Sequence, residues 1–280
     1  MKEIKVMAWN IESLKTKVKR LAIQTIIQNS LADIFVLSEF PNNQDGLNLL
    51  ESLSKDYSYI LPTGKKTYRK NKSSFPIDVG QKIKVGYVVP PKIDTIIEPK
   101  ERLWMITIVL IRKGNNILQD VKIEDVKVAH SEGKELTMDT PYRWLEIKGV
   151  LWGEDISIIG VHIKQYPKGM NYWNYLQSHL QISGIDRKVI IIGDMNVSTE
   201  KNACQTAFEN LKSISNLEDL AELDKNMSRT FKWGTRIDYV LLSKTFFDEN
   251  VEVEYLYDEG GMGFSNSDHV NIGVTIKRND

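Results

Sequence analysis

Polar side chains recur where apolar runs stop. Asn10 follows Ile4 to Trp9, Glu39 follows Ile34 to Leu37, and His162 follows Ile158 to Val161. Asp194 and Asn196 follow Val189 to Ile192, Asp238 follows Ile237, and Asp268-His269 stand just ahead of Val270 to Ile276. Apolar runs of this length are strand candidates, and strand ends converge on one rim of a sheet, so these residues can share one site. Their types form a set. Glu39 and Asp268 are hard oxygen ligands suited to Mg²⁺, which takes one or two carboxylates and keeps several waters. Asp194 can orient or deprotonate a water. Asn10 and Asn196 can meet a phosphate oxygen without repelling it, and His162 and His269 can donate to the negative charge that develops on a five-coordinate phosphorus. A metal, a base, two amides and two imidazoles are the parts of phosphate ester hydrolysis.

These residues must be held by strands. Ile4 to Trp9, Ala32 to Ser38, Val85 to Val89, Trp104 to Arg112, Asp120 to Ala129, Arg143 to Val150, Asp155 to Gly160, Lys188 to Ile192, Ile237 to Leu242, Val251 to Leu256 and Val270 to Ile276 read as strands. Helices are fewer. Leu14, Val18, Leu21, Ile23, Ile26 and Ile27 give an amphipathic face, and Asp45 to Ser54, Tyr172 to Ile182 and Lys201 to Leu211 are helical by spacing. No Gly/Ser/Pro linker or internal repeat divides the 280 residues, so one domain over 1–280 is expected. Two sheets packed face to face with helices outside would fit this inventory.

Composition narrows the class. Lys+Arg and Asp+Glu are both 37, which excludes a wholly cationic coat protein but not a local basic groove. With 41% hydrophobic and 26% charged residues the chain is globular rather than disordered. The one cysteine, Cys204, excludes an internal disulfide and a cysteine-based zinc site. The N-terminus is charged from Lys2 and lacks an apolar core of signal-peptide type, and no run is long enough to span a bilayer; a soluble, cytoplasmic protein is expected.

The set resembles the endonuclease/exonuclease/phosphatase superfamily. The matching stretches are Trp9-Asn10-Ile11, Ser38-Glu39, Gly160-Val161-His162, Gly193-Asp194-Met195-Asn196, Arg236-Ile237-Asp238-Tyr239-Val240 and Ser267-Asp268-His269. Each alone is weak; six in the family's order are specific. The resemblance implies a four-layer α/β sandwich of two packed mixed β-sheets flanked by helices. It implies that Glu39 binds the metal, that Asn10 holds a metal-bound water, and that Asp268 lies near the metal. It implies that Asp194 activates the attacking water, Asn196 contacts the scissile phosphate, and His269 hydrogen-bonds the phosphate with Asp238 orienting its ring. The cofactor is expected to be Mg²⁺ or Mn²⁺. In the deoxyribonuclease-like pattern a glutamate on an earlier strand orients the histidine at position 162. The corresponding segment, Gln81 to Gly86, has no carboxylate, so His162 is expected to act as a plain hydrogen-bond donor.

The substrate rim is read from charge and aromaticity. Lys65, Lys66, Arg69, Lys70 and Lys72 form a basic run with no acidic residue between Asp56 and Asp78, which suits phosphate contact. Trp233, just ahead of Asp238, and Tyr166 are candidates to stack on bases. His130 and His179 are read as structural. The expected activity is hydrolysis of nucleic acid, DNA or RNA, by metal- and Asp-activated water. The alternative is a phosphatase or phospholipase-type phosphodiesterase acting on inositol phosphates or phospholipid headgroups.

Overall fold

The computed structural model describes residues 2–14, 16–41, 43–60, 105–114, 117–124, 143–165, 169–183, 187–197, 203–258 and 266–279. Along the chain these form β1 (Lys2–Asn10), α1 (Lys17–Ser30), β2 (Ile34–Pro41), α2 (Gln44–Leu53), β3 (Tyr57–Ile60), β4 (Met105–Arg112), β5 (Leu118–Glu124), β6 (Trp144–Leu151) and β7 (Glu154–His162). They continue with α3 (Met170–Ser183), β8 (Lys188–Asp194), α4 (Ala203–Ile214), β9 (Leu217–Asp219), α5 (Leu220–Leu223), β10 (Asp238–Ser243), β11 (Val251–Asp258) and β12 (Asn271–Arg278). The Val85 to Val89 strand, the Lys65 to Lys72 run, the Gln81 to Gly86 segment, Tyr166 and His130 lie outside the described residues.

Two six-stranded sheets result, in the orders β11-β12-β1-β2-β4-β3 and β5-β6-β7-β8-β10-β9. Both are mixed: β1 and β2 run parallel, as do β7 and β8, and the other pairs are antiparallel. The period-2 alternation of a strand sorts the side chains into layers. Ile4, Val6 and Ala8 of β1 enter the core between the sheets, where they join Ile158, Ile190, Ile192 and Val240. Met7 and Trp9 point the other way, into a second core with Ile23, Ile26 and Ile27 of α1 and Leu49, Leu50 and Leu53 of α2. A third core lies on the outer face of the second sheet, between Ile159 and Ile191 and the helix residues Trp173, Leu176 and Phe208. Helix, sheet, sheet and helix make four layers. Among the described residues no helix is long and apolar enough to cross a membrane.

Three local readings change. Val18 and Leu21 are 77% and 51% exposed, not part of the inner face of α1. At about 100° per residue they sit opposite the Ile23, Ile26 and Ile27 stripe, and the buried Leu14 precedes the helix altogether. β2 does not stop at Ser38. It continues to Pro41 through an irregularity between Leu37 and Phe40, where Glu39 takes φ +50°. A bulge of this kind turns one residue out of the ladder, and here that residue is the metal candidate. The short strands β3 and β9 carry too few residues for a periodicity to be read from sequence.

Candidate active site

The site is assembled by strand register. His162 on β7 stands opposite Asp194 on β8, and Asp194 stands opposite Asp238 on β10, so three polar groups fall at one level of one sheet. On the facing sheet, Asn10 at the end of β1 stands opposite Ser38 of β2. The two rims meet where the Asn10 amide donates to Asp194 Oδ2 at 3.0 Å. Gly193 precedes the aspartate at φ +135°, and an added Cβ would lie 2.2 Å from the Val161 carbonyl oxygen. Only glycine lets the backbone of β8 come this close to β7 before Asp194.

Asp194 is 2% exposed. Its other oxygen accepts the backbone N–H of Asn196 at 2.9 Å. Burial and the nearby charge of Asp238 push its carboxyl up to about 7, against the opposing pull of His269 and the Asn10 hydrogen bond. A carboxylate titrating near neutrality is matched to accepting a proton from water. Asn196, at φ +49°, donates from its amide to the Ile163 carbonyl at 2.8 Å, which fixes the direction of its head group.

His269 Nδ1 donates to Asp238 Oδ2 at 2.8 Å. Its Nε2 lies 3.9 Å from both Asp194 Oδ2 and Asp268 Oδ1. Burial alone would disfavour the imidazolium, but the Asp238 charge and hydrogen bond, with Asp194 and Asp268, raise it to about 10. At neutral pH the ring is a cationic donor. The loop that carries it is tied to β1. Trp9 Nε1 donates to the His269 carbonyl at 2.9 Å, Ser267 Oγ donates to the Asn10 carbonyl at 2.5 Å, and His269 N–H donates to Ser267 Oγ at 3.2 Å. Trp9 is thus a buried anchor of the site rather than a stacking surface. From the other side, Phe231 bridges to His269 and packs on its ring at 4.9 Å.

His162 Nε2 stands 3.6 Å from both Glu39 Oε1 and Asp194 Oδ2. Its neighbour is one the sequence reading missed: Arg143, whose NH1 lies 3.1 Å from His162 Nδ1. The spacing of Arg143 to the His162 strand, a hairpin's two arms, was the available signal. His179, on α3, donates from Nε2 to the buried Glu146 carboxylate at 2.6 Å. Trp233 is 75% exposed at the tip of a turn whose Lys232 N–H donates to the Asp268 carbonyl. Lys232 Nζ lies 5.2 Å from the Trp233 ring centre and 3.4 Å from Asp268 Oδ2.

Arg236 of the Arg-Ile-Asp-Tyr stretch does not face this cluster. It makes a two-pronged pair with Asp219, at 3.0 and 2.5 Å, and both side chains are buried. Asp219 also caps α5 by accepting the Ala221 N–H. Removing one partner strands a buried charge, so Arg236→Met is expected to cost about 3–5 kcal/mol in urea unfolding. An unchanged midpoint would show that the pair does not hold β9 and α5 on β10.

The residues present fit a divalent cation. The donors are hard oxygens, and negative charge is in excess: Asp194 and Asp238 share one imidazolium, while Glu39 faces only the His162 ring among the described charged groups. Among the described residues, Asp194, Asp238 and His269 are the group whose ligand atoms lie within 4.8 Å of one another. Two of these three already bond to each other; of the other carboxylates at this rim, Glu39 lies 3.6 Å from the His162 ring and Asp268 lies 3.4 Å from Lys232 Nζ.

The sequence profile of the Endonuclease/Exonuclease/phosphatase family matches residues 7–269. The chain belongs to that family. Endonuclease/exonuclease/phosphatase proteins are phosphoester hydrolases, typically dependent on a divalent metal. No curated protein matches the chain by sequence. Among solved structures, AP endonuclease LMAP from Leishmania major is similar with a TM-score of 0.66 and 14% identity, over 99% of this chain and 88% of that one. The 3′ phosphatase NExo from Neisseria, solved with a product DNA hairpin, gives 0.62 and 16%, over 99% and 100%. Truncated TDP2 from Caenorhabditis elegans gives 0.59 and 14%, over 98% and 97%. At these identities the likeness establishes the endonuclease/exonuclease/phosphatase fold.

Proposed function

We propose that the protein is a metal-dependent phosphodiesterase that hydrolyses nucleic acid. The observation that carries the reading is the buried Asp194 held between Asn10 and the Asp238–His269 pair. Asp194 accepts a proton from water as the water attacks phosphorus. His269, kept cationic by Asp238, donates from Nε2 to a non-bridging phosphate oxygen as charge builds there. Asn196, oriented by Ile163, offers its remaining amide hydrogen to the same phosphate. His162 and Arg143 add donors on the opposite side of Asp194. Glu39, with Asn10 and Asp268, would hold Mg²⁺ or Mn²⁺, which supplies Lewis-acid stabilisation of the phosphoryl oxygens.

Glu39→Gln is expected to raise the Mg²⁺ concentration for half-maximal activity by at least tenfold while the unfolding midpoint stays near wild type, because a bulge residue fills no core. A wild-type metal titration would remove Glu39 from the metal role.

The choice of nucleic acid rests on Trp233. An exposed indole beside a lysine, on a turn bonded to the Asp268 loop, is a stacking surface next to the phosphate chemistry, and one base on one ring is worth about 1–3 kcal/mol. Trp233→Ala is therefore expected to raise KM on DNA or RNA about 5- to 100-fold with kcat nearly unchanged. The deciding experiment is a substrate panel under Mg²⁺: double-stranded DNA, single-stranded DNA, RNA, an inositol polyphosphate and sphingomyelin vesicles. Cleavage of a nucleic acid supports the reading. Hydrolysis of the inositol phosphate or the lipid with every nucleic acid intact overturns it.

A further inference from the structure

At the end of the sandwich away from the catalytic rim lies a cavity of about 710 Å³. It is formed where β1 begins and β12 ends, and its lining includes Lys2, Gln119, Trp152, Asn250, Arg278 and Asn279. Lys2 and Asn10 are the two ends of β1. At about 3.3 Å per residue the cavity is some 26 Å from the catalytic rim. Its volume falls in the range of about 300–1,000 Å³ that small-molecule sites occupy.

The fold alone accounts poorly for Trp152. It sits at φ +54° in the β6–β7 turn, followed by Gly153 at φ +87°. Two-residue turns of this hand favour Asn, Asp or Gly at both positions, and a bulky aromatic there is strained. Its indole N–H is enclosed and has no acceptor among the described residues, so no hydrogen bond from the ring offsets that strain. Contact with the lower edge of the inter-sheet core explains why an apolar residue is tolerated. It does not explain the polar groups gathered around the ring. The Arg278 guanidinium lies 6.0 Å from the ring centre and is steadied by Glu154 at 3.3 Å and by the Trp152 carbonyl at 3.5 Å. The same Glu154 also pairs with Lys188 at 3.4 Å, so among the described residues Arg278 has only part of one carboxylate's charge. Lys2 adds a further cation at the wall. Gln119, Asn250 and Asn279 bring carboxamides, which both donate and accept.

We infer that this cavity is a binding site for a nucleotide unit, with the base against Trp152 and Arg278 and the phosphate toward Lys2 and Arg278. An aromatic face matches a base face, a planar guanidinium and an ammonium match a phosphate, and carboxamides match a base edge. The unit is either a free mononucleotide or the phosphorylated end of a strand. The inference does not depend on the catalytic proposal, since no residue is shared between the two places.

The test is isothermal titration of the full chain in EDTA with AMP, GMP, CMP and UMP, with adenosine, with inorganic phosphate, and with a 5′-phosphorylated oligonucleotide. Trp152→Asn and Arg278→Gln serve as variants; Asn suits the left-handed turn position, so the hairpin is expected to survive. At least one monophosphate is expected to bind at least tenfold more tightly than adenosine or inorganic phosphate. Each variant should weaken that binding at least tenfold without changing turnover at the catalytic rim. A mononucleotide that competes with the oligonucleotide and binds more tightly identifies the free ligand; the reverse order identifies a strand end. No binding at millimolar nucleotide, or binding that both variants leave unchanged, overturns the assignment.

Discussion

Asp194→Asn is expected to lower turnover by at least a hundredfold, and to do so without lowering stability. A positioned base contributes about 10²–10⁴ to rate, and an amide cannot take the proton from water. The stability half of the expectation comes from register. Asp194 lies directly opposite Asp238, and like charges across a strand pair oppose each other. Burial adds to the penalty, and together they push the Asp194 carboxyl up to about 7. Asparagine removes the charge and keeps an oxygen for the Asn196 N–H; its amide then faces the Asn10 amide, and the loss of that hydrogen bond, about 1–3 kcal/mol, is offset by the relief of the buried charge. Purified Asp194→Asn should therefore unfold at the same or a higher urea concentration than wild type. Near-normal turnover in the folded variant would remove Asp194 from the role of base. A large fall in unfolding midpoint would mean that the lost activity reports folding.

His269→Ala is the second large effect, with turnover expected to fall about 10²–10³ through loss of one preorganised donor to transition-state charge. Asp238→Asn should give a smaller fall of the same kind, because it weakens the imidazolium without removing the ring. The two are in direct contact at 2.8 Å and act through one imidazole, so their effects should not add. In the His269→Ala background, Asp238→Asn should cost little further activity. Full additivity would show that Asp238 works independently of the histidine.

The polar residues at strand ends were legible because chemistry and periodicity coincide there. An apolar run that stops at Asp, Asn or His marks the strand and, at its end, a candidate site residue. What joins them was not legible. That His162, Asp194 and Asp238 stand at one level depends on the register of β7, β8 and β10, which is set by pairing between distant segments. Glu39 illustrates the same limit. Its type could be read, but the bulge that turns it outward appears only once β2 pairs with β4. Arg143 carries no such signal, because it opens a strand instead of closing one and its link to His162 crosses a hairpin. On α1, the six-residue apolar set is wider than one helical face, so Val18 and Leu21 fall on the exposed side. The Arg236–Asp219 pair explains why an arginine precedes Ile237 in a stretch otherwise tied to the site: it holds β9 and α5 on β10 from below the catalytic cluster.

Metal-dependent hydrolysis of a nucleic-acid phosphodiester can be read in a single assay. A labelled oligonucleotide duplex, its single strands and an RNA of the same sequence are incubated with the purified protein in Mg²⁺, in excess EDTA, and in EDTA followed by restored Mg²⁺. Cleaved product is expected from at least one of them in Mg²⁺, none in EDTA, and recovery when Mg²⁺ returns, with the rate falling steeply as salt rises. Cleavage at an equal rate in EDTA, or intact nucleic acid under both Mg²⁺ and Mn²⁺, would contradict that expectation.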